Sequence, residues 1–219
     1  MAKVITSDEA AAMVNDGDTI LVGGFLAVGT PETIVDALVR KNVKNLTLVC
    51  NDTGFPDRGV GKMIVNKQFK KVQASHMGTN KETGRQMNAG ELEVELNPQG
   101  TLAERIRCGG IGLGGFYTPT GLGTPVQEGK EVRVMPGVGG DREMLLEYPI
   151  KGKVALLKAF TADKYGNLKY HATARNFNPI MAFAADIVIA EVDNLIDFMD
   201  PDEVVTPGVL VDYIVRRGR

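Results

Sequence analysis

Thr19-Ile20-Leu21-Val22-Gly23-Gly24-Phe25-Leu26-Ala27-Val28-Gly29-Thr30-Pro31-Glu32 decides the fold. An apolar run, Thr19 to Val22, reads as a strand, and the segment from Pro31 to Lys41 carries a helical period with Ile34, Ala37 and Leu38 on one face. Glycines join the two. Such a turn brings backbone N–H groups to the helix N-terminus, an arrangement that favours a phosphate or another oxyanion. Thr30 suits the N-cap, Pro31 the first helical position, and Glu32 complements the positive end of the helix dipole.

Two nucleotide motifs fail on inspection. Gly24 to Gly29 has Walker spacing, but Thr30-Pro31 stands where a Lys-Ser/Thr pair is required, so nothing reaches the β- and γ-phosphates. Gly23-Gly24-Phe25 does not supply the G-x-G-x-x-G of a dinucleotide site. Gly110-x-Gly112-x-x-Gly115 has that spacing, yet Phe116-Tyr117-Thr118-Pro119-Thr120-Gly121 follows it and cannot open a helix.

The surrounding pattern repeats the strand–helix theme. Ser7 can cap a helix through Val14 that Gly17 closes. Leu46–Cys50 and Lys71–Ser75 read as strands, with a short helix at Val60–Val65 between them. Leu92, Val94 and Leu96 alternate with Glu91, Glu93 and Glu95, which predicts a strand with one polar face. Thr101 and Glu104 form a capping box for a helix ended by Gly109-Gly110. Strands alternating with helices imply parallel strands with helices on the faces. From about residue 110 to 150 the pattern breaks: Gly, Pro and Thr dominate to Pro125, then short strands flank Gly137-Val138-Gly139-Gly140. Val154–Phe160 and Asp186–Val192 return as buried strands, with a helix at Asn178–Ala185. The expectation is one domain over 1–219: an open, mainly parallel α/β sheet with helices on both faces and a small β-rich insertion.

Composition narrows the function classes. The chain has 219 residues, 25 Lys and Arg against 27 Asp and Glu, and a net charge of −2, which gives no reason to expect nucleic acid as a partner. Cys50 and Cys108 suit a reducing compartment, the first residues do not form a signal peptide, and no apolar run is long enough to span a bilayer. The expectation is a cytoplasmic protein without a membrane segment. Seven bases between Arg58 and Arg85 and seven acids between Asp186 and Glu203 read first as solvated faces, though the basic stretch could steer a polyanion.

Nucleophiles are scarce: two serines, two histidines and two cysteines. No C-x-x-C, H-E-x-x-H or G-x-S-x-G occurs, so neither a metal centre nor a serine hydrolase is expected. His76 reads as a loop histidine and Cys50 as a small core residue. Glu91, Glu93 and Glu95 read as a solvated or covered strand face rather than catalytic carboxylates. Asn51-Asp52-Thr53-Gly54 and Asn97-Pro98-Gln99-Gly100 both follow strands, where open α/β sheets keep their binding crevice, although both are also good turn sequences. Gln99 stands out, because a neutral amide can donate to a developing oxyanion without adding charge.

Together V-G-G-F-L-A-V-G-T-P-E, N-D-T-G, G-E-L-E-V-E-L-N-P-Q-G-T-L-A-E-R-I-R-C-G-G, F-Y-T-P-T-G-L-G-T and A-R-N-F-N-P resemble the α subunit of the 3-oxoacid CoA-transferases, nearest to the bacterial acetate/butyrate–acetoacetate group. The likeness runs in unbroken order from about Gly17 to Tyr213 and departs mainly around residues 131–144. It implies a cytoplasmic hetero-oligomer, α2β2 or α4β4, with a β subunit, and coenzyme A as a substrate without a metal. It implies transfer of CoA between a short acyl-CoA (acetyl-, butyryl- or acetoacetyl-CoA) and a short carboxylate such as acetate or acetoacetate. In that family a β-subunit glutamate in a Ser-Glu-Asn-Gly motif attacks the thioester to give an anhydride, and the CoA thiolate returns to give a glutamyl-CoA thioester. No S-E-N-G occurs in this chain. The likeness assigns Gly24, Phe25, Leu26, Ala27, Val28, Gly29 and Thr30 to CoA and sets Asn51 and Gln99 facing the glutamate. The rival readings are a sugar-phosphate isomerase of related fold acting alone and a non-catalytic acyl-CoA or nucleotide binder. Phe116 to Gly123, aromatic and irregular, is expected to lean on a partner surface.

Overall fold

The computed structural model of the chain describes residues 2–217. In chain order the elements are β1 (Lys3–Ile5), α1 (Ser7–Ala12), β2 (Thr19–Val22), α2 (Glu32–Lys41), β3 (Leu46–Val49) and α3 (Gly61–Val65). Next come β4 (Phe69–Ala74), α4 (Lys81–Asn88), β5 (Glu93–Leu96), α5 (Gln99–Ile111), β6 (Phe116–Thr118), β7 (Val132–Gly137) and β8 (Gly140–Glu147). The chain closes with β9 (Gly152–Asp163), β10 (Leu168–Lys169), α6 (Asn178–Met181), β11 (Ala185–Ile196) and β12 (Tyr213–Arg216).

A nine-stranded sheet runs in the order β1-β12-β11-β9-β2-β3-β4-β5, with β10 paired only to β9. Every pair along that order is parallel, and β10 is antiparallel. Both faces are covered. Ile20 and Val22 of β2 pack into a core with Ile34 and Leu38 of α2 and Met63 of α3. Leu21, between them, packs into a second core with Leu102 and Ile106 of α5 and Met181 of α6. Side chains alternate across a strand, so an uninterrupted apolar run is what a strand buried on both faces requires. The architecture is the open, mainly parallel α/β sheet expected from the sequence, and β6-β8-β7 form the small separate antiparallel sheet.

The chain steps outward from β2 through β3 and β4 to β5, returns to β9 beside β2, and then steps outward through β11 to β12. Connections therefore leave β2 and β9 in opposite directions, and a crevice opens beyond their carboxyl ends.

Several boundaries differ from expectation. Thr6, not Ser7, caps α1, completing a capping box with Glu9. The Thr6 side chain takes the Glu9 N–H at 3.1 Å while the Glu9 carboxylate takes the Thr6 N–H at 2.8 Å. Helix α5 begins at Gln99 and runs through Gly109-Gly110 to a left-handed cap at Gly112, so Thr101 and Glu104 lie inside it. The two glycines serve contact rather than termination: a Cβ on Gly109 would lie 1.9 Å from the Ile150 carbonyl oxygen, and one on Gly110 2.4 Å from Phe183 Cβ. With no strand before it and no helix after it, Gly110 to Gly115 is not a dinucleotide loop. Helix α6 stops at Met181, short of the expected Ala185. Within the segment expected to be irregular, Phe116–Thr118 forms a short strand paired with β8.

Candidate active site

The loop after β2 is a tight hairpin. Phe25 and Val28 exchange backbone hydrogen bonds of 2.9 Å in both directions. Leu26 and Ala27, at its tip, sit at φ 48° and 66°. Both central residues at positive φ make a type I′ turn, which normally carries Asn and Gly. Held by Leu and Ala, it stores roughly 1–2 kcal/mol per residue. Gly24, at φ 129°, lies under Thr30, whose Oγ1 would be 2.1 Å from a Cβ there. Phe25, Leu26 and Val28 are all exposed.

Side chains from distant segments clamp this hairpin. The Asp52 carboxylate accepts the Leu26 N–H at 2.9 Å through Oδ2 and the Gly54 N–H at 2.9 Å through Oδ1. Asn176 accepts the Gly24 N–H at 3.1 Å and donates to the Val28 carbonyl at 3.0 Å. Asn178 donates to the Gly29 carbonyl at 3.0 Å. Strain held by surrounding contacts is a mark of functional loops.

The helix after the loop departs from expectation. Pro31 occupies the N-cap position with no side-chain cap, so Thr30 does not cap α2. The anion at this N-terminus is internal: Glu191 Oε2, from β11, accepts the N–H groups of Thr33 at 2.8 Å and Ile34 at 3.2 Å. A dipole end already holding a buried carboxylate is closed to a second anion. Glu32 turns away to the Gly59 N–H and Lys62, both at 2.6 Å. Glu191 is fully buried and its Oε1 has no hydrogen-bond partner, with Lys158 Nζ at 3.9 Å. Burial raises its carboxyl pKa against the opposing pull of Lys158 and the two N–H groups.

A cleft of about 360 Å³ lies on this side of the loop, walled by Ala27, Gly29, Lys158, Phe160, His171 and Asp193 among others. It lies beyond the carboxyl end of β2, against the carboxyl-terminal half of β9 and the middle of β11. Lys158 and Arg217 both reach Asp193, at 2.7 and 3.5 Å.

Asn51 and Gln99 lie beyond the carboxyl ends of β3 and β5, and the structure brings them into contact. Gln99 Nε2 donates to Asn51 Oδ1 at 2.7 Å. Ser75, beyond β4, donates its hydroxyl to the same oxygen at 2.9 Å. Asn51 Nδ2 donates in turn to Asp52 Oδ2 at 2.8 Å. Asp52 fixes the polarity of this chain: its oxygens receive backbone N–H groups, so Asn51 must present its NH₂ to Asp52 and its carbonyl to Gln99. One N–H of Gln99 is thereby engaged, and its second N–H and its carbonyl oxygen remain for a ligand. One hydrogen-bonded path thus runs from Gln99 through Asn51 and Asp52 to the strained turn at Leu26.

Other candidates resolve into structural roles. Glu91 pairs with Lys67 and Arg85, Glu93 with Lys71, and Glu95 with Lys71 and Arg105. Lys62 of the basic stretch pairs with Glu32 and Asp36. The His76 side chain is exposed, and its backbone bridges Asp52. Burial, with Asp52 nearby, pushes the Cys50 thiol well above its ordinary range, as suits a core residue. Sequence reading placed Asp52 in a strand-end segment at the crevice without a role of its own, and missed Ser75, Asn176, Asn178 and Glu191 as site-shaping residues. A single acid inside the apolar run Ile187–Val192 was the available signal for Glu191, because a buried acid in a strand needs a partner.

Comparison with known proteins gives a consistent picture. The family model described as Coenzyme A transferase matches residues 4–217. The Acetate CoA-transferase subunit alpha of Escherichia coli is 51% identical over 215 residues, covering 97% of this chain and 96% of that protein. The Acetoacetyl-CoA:acetate/butyrate CoA transferase alpha subunit of Clostridium acetobutylicum is 48% identical over 217 residues, covering 98% of each. Among solved structures, an acyl-CoA transferase from Escherichia coli, a thioester complex with CoA, superposes with a TM-score of 0.85 at 22% identity. It is matched over 99% of this chain but 47% of its own, so this chain spans about half of that larger one.

Proposed function

The chain belongs to the coenzyme A transferase family, and from that membership we propose that it is the α subunit of a transferase exchanging CoA between a short acyl-CoA and acetate or acetoacetate. It works in the cytoplasm as one α-subunit domain, with a β subunit in a hetero-oligomer. The β subunit supplies the glutamate nucleophile. The α subunit contributes the strained loop from Gly24 to Thr30 as the CoA-facing edge and the Gln99–Asn51 pair as polar groups toward the reacting glutamate.

The observation that carries this reading is the Gln99–Asn51–Asp52–Leu26 path. It joins the residues named for the glutamate to the residues named for CoA in one rigid array. Asn51 holds Gln99 so that its remaining N–H meets an oxygen whose charge grows as a carboxylate attacks a thioester. A preorganised neutral donor stabilises such a transition state without repelling the incoming carboxylate. Neither rival reading has this support. An isomerase built on the same polar path needs a free carboxylate as base beside Gln99, yet there Asp52 is engaged by three donors and Glu95 by Arg105, Lys71 and Gln73.

The test is co-expression with a β subunit bearing Ser-Glu-Asn-Gly, followed by CoA exchange between acetyl-CoA and acetoacetate. Exchange by the co-purified pair and none by the α chain alone is expected. Turnover by the α chain alone, or an inert stable pair, overturns the reading.

A further inference from the structure

Arg105 lies on α5, and the guanidinium is buried at the junction of three segments. Its Nε donates to the Tyr148 carbonyl at 2.8 Å, and one terminal nitrogen reaches Glu95 Oε1 at 2.6 Å. The same nitrogen hydrogen-bonds Asn97 Oδ1. Glu147 Oε2 stands 3.8 Å away, and Lys130 neutralises that carboxylate at 2.6 Å. Arg105, Asn97 and Glu147 are all buried. The Asn97 N–H is held by the Ala74 carbonyl at 2.9 Å. Asn97 is thus gripped by main chain and side chain immediately before Pro98 and Gln99.

We propose that Arg105 is a positioning residue for Gln99. It fixes the Asn97-Pro98-Gln99 turn from below as Asn51 fixes the Gln99 amide from above. The proposal rests on the catalytic reading of Gln99 given above. Gln99 is the first residue of its helix, so its backbone has no preceding turn to hold it. Its direction depends on the segment leading in, and Asn97 is where that segment is anchored. A buried ion pair gives little net stability relative to an apolar pair of the same volume. The planar fork of arginine fixes two acceptors and the Tyr148 carbonyl in one plane, which a lysine cannot do. The same fork ties the Tyr148 carbonyl, just after β8, to the end of β5.

The test is kinetic and uses the assembled α–β enzyme. Arg105→Lys keeps the charge and removes the fork. Its kcat falls by roughly ten- to a hundredfold, the scale of a misplaced catalytic group, while KM for acyl-CoA changes little. In a Gln99→Ala background the same substitution has almost no further effect, because residues acting through one another are non-additive. Penalties that multiply in the double variant, or a wild-type kcat in Arg105→Lys, overturn the proposal. A wild-type kcat in Gln99→Ala instead overturns the reading of Gln99 on which it rests. If Arg105→Lys does not assemble, Asn97→Ala is read in the same cycle, since it releases the turn while Arg105 keeps Glu95.

Discussion

Gln99 has two N–H groups, and the contact with Asn51 uses one of them. That division makes the cost of replacing the side chain predictable. On the proposed role, Gln99→Ala removes one donor to a developing oxyanion, which typically lowers rate by about 10²–10³. Because that donor acts in the transition state, kcat falls with little change in KM for acyl-CoA. Gln99→Glu is at least as damaging, for a reason specific to this site. Its carboxylate would face Asn51 Oδ1 with no hydrogen between them, and Asn51 cannot turn over because Asp52 needs its NH₂. Steady-state kinetics of both variants in the assembled enzyme decide the matter. Wild-type kcat in both would make Gln99 a turn residue only. Glu191 illustrates the opposite outcome of reading single residues. The sequence suggested a bound phosphate or oxyanion at the start of α2, but the anion there is the protein's own Glu191 carboxylate.

At the scale of elements, helix α5 shows how a packing demand overrides a local signal. Gly109-Gly110 looks like a stop, yet the helix continues because those glycines let it approach Ile150 and Phe183. Gly109→Ala gains about 1 kcal/mol of helix propensity. It also drives a methyl into a carbonyl oxygen at 1.9 Å, and main chain does not yield cheaply, so a net loss of about 1–3 kcal/mol is expected. Gly84, inside α4, has nothing within 4 Å of its Cβ position, so Gly84→Ala stabilises by up to about 1 kcal/mol. Urea midpoints of the two variants therefore move in opposite directions, and a shared direction refutes the packing account. The legible elements were those whose signal is local: the buried run of β2, the amphipathic face of α2, and the β7–β8 hairpin around its glycines. Helix α4 was not legible, because its buried residues are Thr83 and Gln86, so no apolar period announces it; Gln86 instead hydrogen-bonds the Ile64 carbonyl at 2.8 Å. Strands β1 and β12 pair Lys3 with Tyr213 across nearly the whole chain, and three or four residues carry no pattern by themselves.

At the scale of the molecule, the candidate site was legible where the sheet dictates it and hidden where distant side chains complete it. Asn51 and Gln99 follow strands, so the rule of carboxyl ends finds them. Glu191 meets Thr33 across 158 positions and Asn176 meets Gly24 across 152, separations that no local pattern spans. These distant polar contacts also set the response to acid. Burial alone would raise the Glu95 carboxyl, but Arg105, Gln73 and Lys71 outweigh it and hold its pKa at about 2, against an ordinary 4.5. Arg85 likewise holds Glu82 and Glu91 at about 2, with help from Gln86 and Lys67 respectively. A carboxyl whose folded pKa is lowered contributes stability above its unfolded value and loses it as pH falls toward the folded one. The window for all three therefore runs from about pH 4.5 down to about pH 2. Glu191, raised by burial, acts in the opposite sense, because the fold binds its proton more readily. Salt separates the contributions: about 0.5 M screens the exposed Glu82 and Glu91 pairs and leaves the half-buried Glu95–Arg105 pair largely intact. In that salt, urea midpoints of the wild type fall across the window, and those of Glu95→Gln fall less steeply, because the amide has no charge to lose. Parallel curves for the two proteins would show that the Arg105–Glu95 pair does not couple folding to protonation.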